Sequence, residues 1–195
     1  DILFQKKEIN GVYLGADRYL IGVNDPKKYT EQMEDSRIAS LKKLVNRWDA
    51  KVMLVPTADN ILTDKLPAFA PHYDEMRLLA KVKESVDEEH YIDVYSALQE
   101  HAGEPIYYRT DHHWTSLGAY YGFLAWADNM GKFPYPYNTA GMKTVSEDFQ
   151  GTLQSRINVA WTKDRIQYFP ETEKKSVSVT YDFADTADSL YAPEY

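Results

Sequence analysis

A long amphipathic segment followed directly by a short apolar run most constrains the fold of this chain. Asp25-Pro26 offers a helix cap followed by a proline at the first helical position. Apolar side chains then recur at helical spacing at Tyr29, Met33, Leu41, Leu44, Val45 and Trp48. The run Lys51–Thr57 is apolar and closed by Pro56, a pattern typical of a buried strand. A helix that alternates with such a strand predicts an α/β fold.

The rest of the chain continues this alternation. We expect a hairpin over 9–21, helices over 73–86 and 96–101, and a second strand over Tyr91–Tyr95. A further helix is predicted from a cap at Thr115 or Ser116 to a stop at Gly131. Later segments are predicted as a rigid run over 133–137, irregular chain over 151–161, and strands over 164–169 and 176–181 that form one candidate hairpin.

Composition limits the classes of function. The chain has 195 residues, of which 44% are hydrophobic, so we expect one domain over 1–195. Its net charge of -8 and the lack of a basic stripe argue against a nucleic-acid partner. The absence of cysteine excludes disulfides, thiolate zinc sites and a cysteine nucleophile. No cofactor is implied. The start at Asp1 suggests that a targeting segment is missing, and the sequence leaves the oligomeric state open.

The densest group of catalytic side chains lies between Tyr107 and Gly118. In an extended backbone, residues two apart share a face, so Asp111 and His113 should lie together while His112 points away. An aspartate beside an imidazole fixes the tautomer of the ring and stabilises its protonated form. His113 is therefore the candidate general base and Asp111 its orienting residue. The helix that follows should add positive potential near Asp111.

Three neighbours of this pair are candidates for supporting or substrate-binding roles. Arg109 is two residues from Asp111 and would strengthen its ionised form or bind a substrate carboxylate. His112 and Trp114 are the other two. The alternative is that Asp111 only caps the following helix, with both histidines hydrogen-bonded near a buried Trp114. The density of the block favours a functional site.

The segment Tyr108–Ser116 resembles the signature of the DHHW protein family, which belongs with SGNH-hydrolase-like proteins that include the alginate O-acetyltransferases. The related motif reads Thr-Asp-x-His-Trp-Thr, and its Asp and His match Asp111 and His113, with His112 at the variable position. The segments Asn10–Gly15 and Val55–Thr57 are also similar to this family. The resemblance implies a three-layer α/β sandwich around a mostly parallel sheet, incomplete at its carboxyl end.

The same resemblance implies a function. It suggests an esterase or O-acetyltransferase acting on acetyl groups of a cell-envelope or extracellular polysaccharide, with a partner glycan or acetyl donor and no metal. Such a protein would act outside the cytoplasm, and a membrane tether would lie outside this chain. Asp111 and His113 would be two members of a Ser-His-Asp triad.

The serine of such a triad is not evident in this sequence. In the family it is expected downstream, in a Lys-Asp-Ser-Tyr or Gly-Asp-Ser block followed by a helix. Asp188-Ser189-Leu190 resembles that block, but Ala187 replaces the glycine and only Tyr191–Tyr195 follow, so we interpret it as a surface turn. Ser116 and Ser155 fail for similar reasons. The domain is therefore predicted to be truncated before its nucleophile.

Two other functions remain open at this point. The fold could be a non-catalytic module that binds glycan or an envelope partner through its tyrosines and Trp114. Alternatively, Asp111, His112 and His113 could bind manganese or zinc in a phosphoesterase. The second is less favoured, because no Asp-x-Asp pair precedes the block.

Overall fold

The first described element is a small antiparallel sheet. In the computed structural model, which describes residues 7–133, 138–158 and 160–170, this sheet contains β1 (Glu8–Ile9), β2 (Val12–Leu14) and β3 (Leu20–Gly22). The predicted hairpin is β2–β3, joined through a 3-10 turn at Ala16–Arg18. Strand β1 was not predicted. It precedes Asn10-Gly11, where both residues have positive φ, the conformation that a tight two-residue hairpin turn requires.

The long helix begins later than its sequence pattern indicates. Asp25 caps only a 3-10 turn at Pro26–Lys28, so the prediction of a helix start there is wrong. Tyr29 is extended, and α1 (Glu31–Trp48) begins after Thr30, whose hydroxyl accepts a hydrogen bond from the amide of Met33. The helix ends where Asp49 adopts a left-handed conformation.

Parallel strand pairing is confined to one bridge among the described residues. Val52 pairs with Tyr91: its amide donates to the carbonyl of His90, and the amide of Ile92 donates to its carbonyl. The predicted strand over Tyr91–Tyr95 is wrong beyond this bridge. Asp93 accepts a hydrogen bond from the amide of Ser96 and thereby starts a helix instead.

Helices cover both sides of this bridge. They are α1, α2 (Ala58–Ile61), α3 (Glu75–Val86), α4 (Val94–Glu100) and α5 (Ser116–Asn129). Leu54 packs into the apolar cluster that α1 and α3 share, which contains Val45 and Val82. Met53 packs into the cluster that includes α4 and α5. Neighbouring side chains of one extended segment thus enter two cores, which is the layered arrangement of an α/β fold.

The carboxyl-terminal part of the described chain differs most from the sequence prediction. Strand β5 (Asp164–Tyr168) is confirmed, but its antiparallel partner is β4 (Lys143–Phe149). The predicted partner at 176–181 lies outside the described residues, as does most of the predicted rigid run at 133–137. The stretch predicted to be irregular contains α6 (Thr152–Ile157), which packs Leu153 and Ile157 against the first sheet.

An acidic cluster around the buried Asp59 lies where the chain leaves the Val52 segment. The hydroxyl oxygen of Thr57 contacts Oδ1 of Asp59 and lies 2.8 Å from Oε1 of Glu75. A hydroxyl has a single hydrogen, so it can donate to only one of these oxygens, and the other carboxyl group must donate a proton of its own. Burial raises the pKa of both Asp59 and Glu75. The cluster therefore holds a proton at pH values where an exposed acid has lost one.

Asp59→Asn tests this bound proton. A carboxyl group whose pKa is raised on folding keeps its proton in the folded state after the unfolded chain has lost it, so stability falls as pH rises above about 4. We expect the free energy of unfolding to fall with pH more steeply in the wild type than in Asp59→Asn, by up to about 1.4 kcal/mol per pH unit. Urea denaturation across a pH series measures this, with the exposed Asp128→Asn as control. Equal slopes in all three proteins would contradict the shared proton.

Candidate active site

The segment Ile106–Thr115 forms a closed loop. Tyr107 and Trp114 pair as an isolated antiparallel bridge. The amide of Tyr108 donates to the carbonyl of His113 at 3.2 Å, and the amide of Thr115 donates to the carbonyl of Ile106 at 2.9 Å. Asp111 and His113 therefore lie at the tip of a returning loop, and the extended backbone expected from the sequence is absent there.

Asp164, the first residue of β5, anchors one side of this loop. Its carboxylate accepts hydrogen bonds from the amides of Arg109 at 3.0 Å and Thr110 at 2.7 Å, and from the hydroxyl of Thr110 at 2.6 Å. The amide of Leu20 in β3 donates to the carbonyl of Arg109 at 2.7 Å. Thr110 is fully buried as a result, so the residue before Asp111 is held on several sides.

The first turn of α6 closes against the other side of the loop. The amide of Gly151 donates to the hydroxyl oxygen of Thr110 at 3.0 Å, and the amides of Leu153 and Gln154 donate to the Thr110 carbonyl. A Cβ atom on Gly151 would lie 2.3 Å from the Cβ of Asp111, so glycine is required for this approach. The helix terminus and the loop therefore fit together through hydrogen bonds and close packing.

Asp111 is a buried carboxylate whose two oxygens accept four hydrogen bonds. Oδ1 accepts from the amide of His113 at 3.0 Å and lies 2.6 Å from its Nδ1. Oδ2 accepts from the amide of Thr152 at 2.7 Å and from its hydroxyl at 2.9 Å. Burial alone would raise the pKa of Asp111, but the hydrogen bonds from Thr152 and His113 outweigh it and hold that pKa well below its usual range. Asp111 is therefore ionised.

His113 combines a fixed inner nitrogen with an exposed ring. Because the ionised Asp111 can only accept, Nδ1 of His113 must carry the hydrogen that joins them. In the neutral ring, Nε2 then has a free lone pair. The side chain is 64% exposed, so this nitrogen can be approached from outside. The geometry is that of a general base with an orienting carboxylate.

The predicted supporting residues lie in different places. His112 packs beside His113 with ring centroids 3.9 Å apart and ring planes tilted by 37°, and its Nδ1 lies 2.9 Å from the hydroxyl oxygen of Thr152. Trp114 packs against α5, where a Cβ on Gly122 would come within 3 Å of its ring. The guanidinium of Arg109 lies 5.5 Å from the ring centre of Tyr19 and makes no ion pair with Asp111 in the described chain.

Gly151, Thr152 and Asp164 complete the site, and sequence reasoning missed all three. They are about 40 to 53 positions downstream of Asp111, in segments predicted to be irregular or to begin a strand. The available signal was local: Leu153 and Ile157, four residues apart after Gly151, have the spacing of a short amphipathic helix. The helix that donates to Asp111 is thus α6, whereas the sequence pointed to the helix from Thr115.

The metal hypothesis is not favoured by these contacts. Asp111, His112 and His113 each offer one ligand atom, and these atoms lie within 4.8 Å of one another. However, both oxygens of Asp111 already accept two hydrogen bonds each, and Nδ1 of each ring is directed at an oxygen of the same network. A cation that used Asp111 as a ligand would have to compete with bonds that now stabilise the loop.

The described serines near this region are used structurally. The hydroxyl of Ser116 donates to the carbonyl of Gln167 at 2.5 Å, and that of Ser155 donates to the carbonyl of Gly151 at 3.3 Å. Ser189 lies outside the described residues. The site therefore contains the candidate base and its candidate orienting residue, while a nucleophile is not identified in the described part of the chain.

The fold and the Asp-His loop define an α/β protein of the SGNH-hydrolase-like class. The sequence profile of the family described as SGNH hydrolase-like domain, acetyltransferase AlgX matches residues 23–194. The chain belongs to this family. The resemblance inferred from Tyr108–Ser116 is thereby confirmed, as is the SGNH-hydrolase-like α/β fold class. The mostly parallel sheet is not seen in the described residues, whose two sheets are antiparallel and whose parallel pairing is the bridge at Val52. A comparison with curated protein sequences finds no match.

Solved structures of similar fold agree with this assignment. A DHHW family protein from Eubacterium siraeum is 26% identical, with a TM-score of 0.63 over 83% of this chain and 55% of that one. The O-acetyltransferase domain of Pseudomonas putida AlgJ is 18% identical, with a TM-score of 0.58 over 80% and 63%. Bacillus cereus PatB1, solved with a sulfonyl adduct, is 17% identical, with a TM-score of 0.57 over 85% and 58%. The chain thus spans between 55% and 63% of these three proteins.

Gly151→Ala tests the packing of α6 against the loop. The added methyl group would overlap Asp111, so either the helix or the carboxylate must move. We expect a loss of about 1–3 kcal/mol in the free energy of unfolding, as for other overpacked sites. Chemical denaturation measures it. Gly103→Ala is the matched control, because nothing lies within 4 Å of its added methyl group. Equal stability of the two variants would show that the approach is not tight in solution.

Proposed function

We propose that the full-length protein is an O-acetyltransferase or esterase that acts on acetyl groups of a cell-envelope or extracellular polysaccharide. The observation that carries this proposal is the Asp111–His113 contact of 2.6 Å, in which an ionised carboxylate orients an exposed imidazole. Membership of the acetyltransferase AlgX family supports the choice of acetyl chemistry. The nucleophile of this proposal is a serine outside the described residues.

The proposed reaction has two steps that share His113. The serine oxygen attacks the acetyl carbonyl carbon while Nε2 of His113 takes the hydroxyl proton, and the donor oxygen leaves with that proton. A sugar hydroxyl or water then attacks the acetyl-serine, gives its proton to Nε2, and the serine oxygen recovers a proton from the ring. Asp111 stabilises the protonated imidazole in both steps because it stays ionised.

His113→Ala in the full-length protein tests this assignment. Without the base, release of acetate from an activated acetyl ester should fall by roughly 10³-fold or more. His101→Ala is a matched control, because its Nδ1 lies 2.6 Å from Glu104, the same distance as in the Asp111–His113 pair. An unchanged rate in His113→Ala, or equal losses in the two variants, would overturn the role of His113.

A groove beside the loop supports a substrate contact for Arg109. A cavity of about 400 Å³ and another of about 810 Å³ share Tyr19, Pro105 and Arg109. Neither is lined by Asp111 or His113, but Arg109 lines both and Tyr108 lines the smaller one, and these two residues belong to the loop that carries Asp111 and His113. Lys163 and Arg165 also line the smaller cavity, but they face Asp148 and Glu147 at 2.6 and 3.8 Å. Arg109 makes no ion pair within 4 Å among the described residues, although Asp17, whose pKa is lowered by Lys65 and also by Arg109, lines the larger cavity with it. An anionic group on the substrate would compete with Asp17 for this charge.

Arg109→Gln tests this contact. We expect the Michaelis constant for an acetylated glycan that carries carboxylates to rise roughly tenfold or more, the worth of a hydrogen bond to a charged group. The turnover number should change little, and uncharged acetyl esters should be unaffected. Arg47→Gln is the control, because its guanidinium also lies over an aromatic ring, 5.2 Å from the centre of Trp48. A tenfold loss that extends to uncharged esters would place Arg109 in the support of the loop instead.

The location of this reaction belongs to the same proposal. We place it outside the cytoplasm, because that is where an envelope or secreted polysaccharide is accessible. Within 7–133, 138–158 and 160–170, none of the helices has the length and apolar character needed to cross a membrane.

A further inference from the structure

The hydroxyl of Thr152 lies between two members of the site. Its oxygen is 2.9 Å from Oδ2 of Asp111 and 2.9 Å from Nδ1 of His112. The backbone amide of the same residue also donates to Oδ2, which fixes the threonine beside the carboxylate. Thr152 therefore links Asp111 to the imidazole that sequence reasoning had placed on the opposite face.

The hydrogens in this group can be assigned by counting donors. Asp111 is ionised and can only accept, so the single hydrogen of the Thr152 hydroxyl must point to Oδ2. The hydroxyl oxygen then has only lone pairs to offer His112. Nδ1 of His112 must carry the hydrogen that joins the two groups. In the neutral ring, Nε2 of His112 is consequently unprotonated.

In their neutral forms, His112 and His113 thus both carry the hydrogen on Nδ1 and leave Nε2 unprotonated, but different contacts fix this tautomer in each ring. Asp111 fixes Nδ1 of His113 directly at 2.6 Å, and it fixes Nδ1 of His112 through the hydroxyl of Thr152. The side chain of His112 is 55% exposed, and its Nε2 has no hydrogen-bond partner within the described ranges. Two adjacent imidazoles, 3.9 Å apart, therefore both present a hydrogen-bond acceptor to the outside.

We propose that Thr152 is a positioning residue that fixes the tautomer of His112, and that Nε2 of His112 binds the molecule which accepts the acetyl group through a hydrogen other than the one that His113 removes. The second part rests on the proposed function. A water that donates one of its two hydrogens to His112, or a sugar that donates from a hydroxyl next to the attacking one, is held beside His113 and keeps the hydrogen of the attacking oxygen for that base. No bond to carbon is made or broken by His112 itself.

The tautomer is measured by the ¹⁵N chemical shifts of the histidine rings in mildly alkaline solution, where imidazoles are neutral. We expect Nδ1 of His112 to show the shift of a protonated nitrogen in the wild type and in Thr152→Ser, which keeps the hydroxyl. In Thr152→Val this signature should be lost for His112 and kept for His113, whose contact with Asp111 remains. A protonated Nε2 in wild-type His112, or an unchanged ring in Thr152→Val, would overturn the assignment. This measurement needs no enzymatic activity, so it stands apart from any failure of the proposed function.

The acceptor role is tested in the full-length protein with His112→Phe, which keeps a planar ring beside His113. Formation of the acetyl-enzyme, seen as the initial burst with an activated ester, should be unchanged. The following transfer should slow about 2- to 10-fold, the worth of one hydrogen bond. Thr152→Val should also slow transfer, and Thr152→Ser should restore it, but the burst is compared only in His112→Phe because Thr152→Val removes a donor from Asp111 as well. An unaltered transfer rate, or an equal loss of the burst, would overturn a separate role for His112.

Discussion

The burial of one ionised carboxylate governs the construction of this site. Asp111 is 4% exposed, and an unpaired charge at such a position costs several kcal/mol. The charge is tolerated because donors from two segments surround it: the amide and ring of His113 on one oxygen, and the amide and hydroxyl of Thr152 on the other. The Asp-His pair therefore depends on α6 being in place.

The position of α6 depends in turn on the elements around it. Its first turn donates to Thr110, its apolar side packs under the first sheet through Leu153 and Ile157, and Asp164 of β5 holds the amides of Arg109 and Thr110. These contacts join residues more than 40 positions apart. A loop that would be mobile if it were held only by its own chain neighbours becomes a rigid support for the exposed ring of His113.

The sequence predicted which side chains meet at the site better than it predicted the residues that hold them in place. Asp111 and His113 do contact each other, but not because the backbone is an extended strand. They meet in an Asx turn, in which Oδ1 of Asp111 accepts a hydrogen bond from the amide two residues later. Thr152 and Asp164 could not be predicted, because non-local hydrogen bonds leave no periodic signal. Strand β4 was missed since its side chains are mostly exposed and do not alternate.

For the fold too, the sequence predicted local features better than contacts between distant segments. The helices α1, α3 and α5 follow from apolar spacing, which is a local property. The apolar run over Lys51–Thr57 indicated a strand, yet one bridge at Val52 is all the parallel pairing that the described residues contain. An apolar composition indicates that a segment is buried between two layers. It does not indicate how many neighbouring strands the backbone of that segment will pair with.

Two buried aspartates show why burial alone does not identify the orienting residue of a general base. Asp59 is 2% exposed and Asp111 is 4% exposed, yet the pKa is raised in the first and lowered in the second. Oδ2 of Asp59 has no hydrogen-bond partner among the described residues, and its Oδ1 shares the hydroxyl of Thr57 with Glu75. In that position the neutral, protonated form of a carboxyl group is favoured over the ionised form. Asp111 has donors on both oxygens and stays an anion, and only an anion can stabilise the imidazolium that forms when His113 accepts a proton. The supply of donors by Thr152 and His113, more than the depth of burial, is therefore what suits Asp111 to the proposed role of orienting carboxylate.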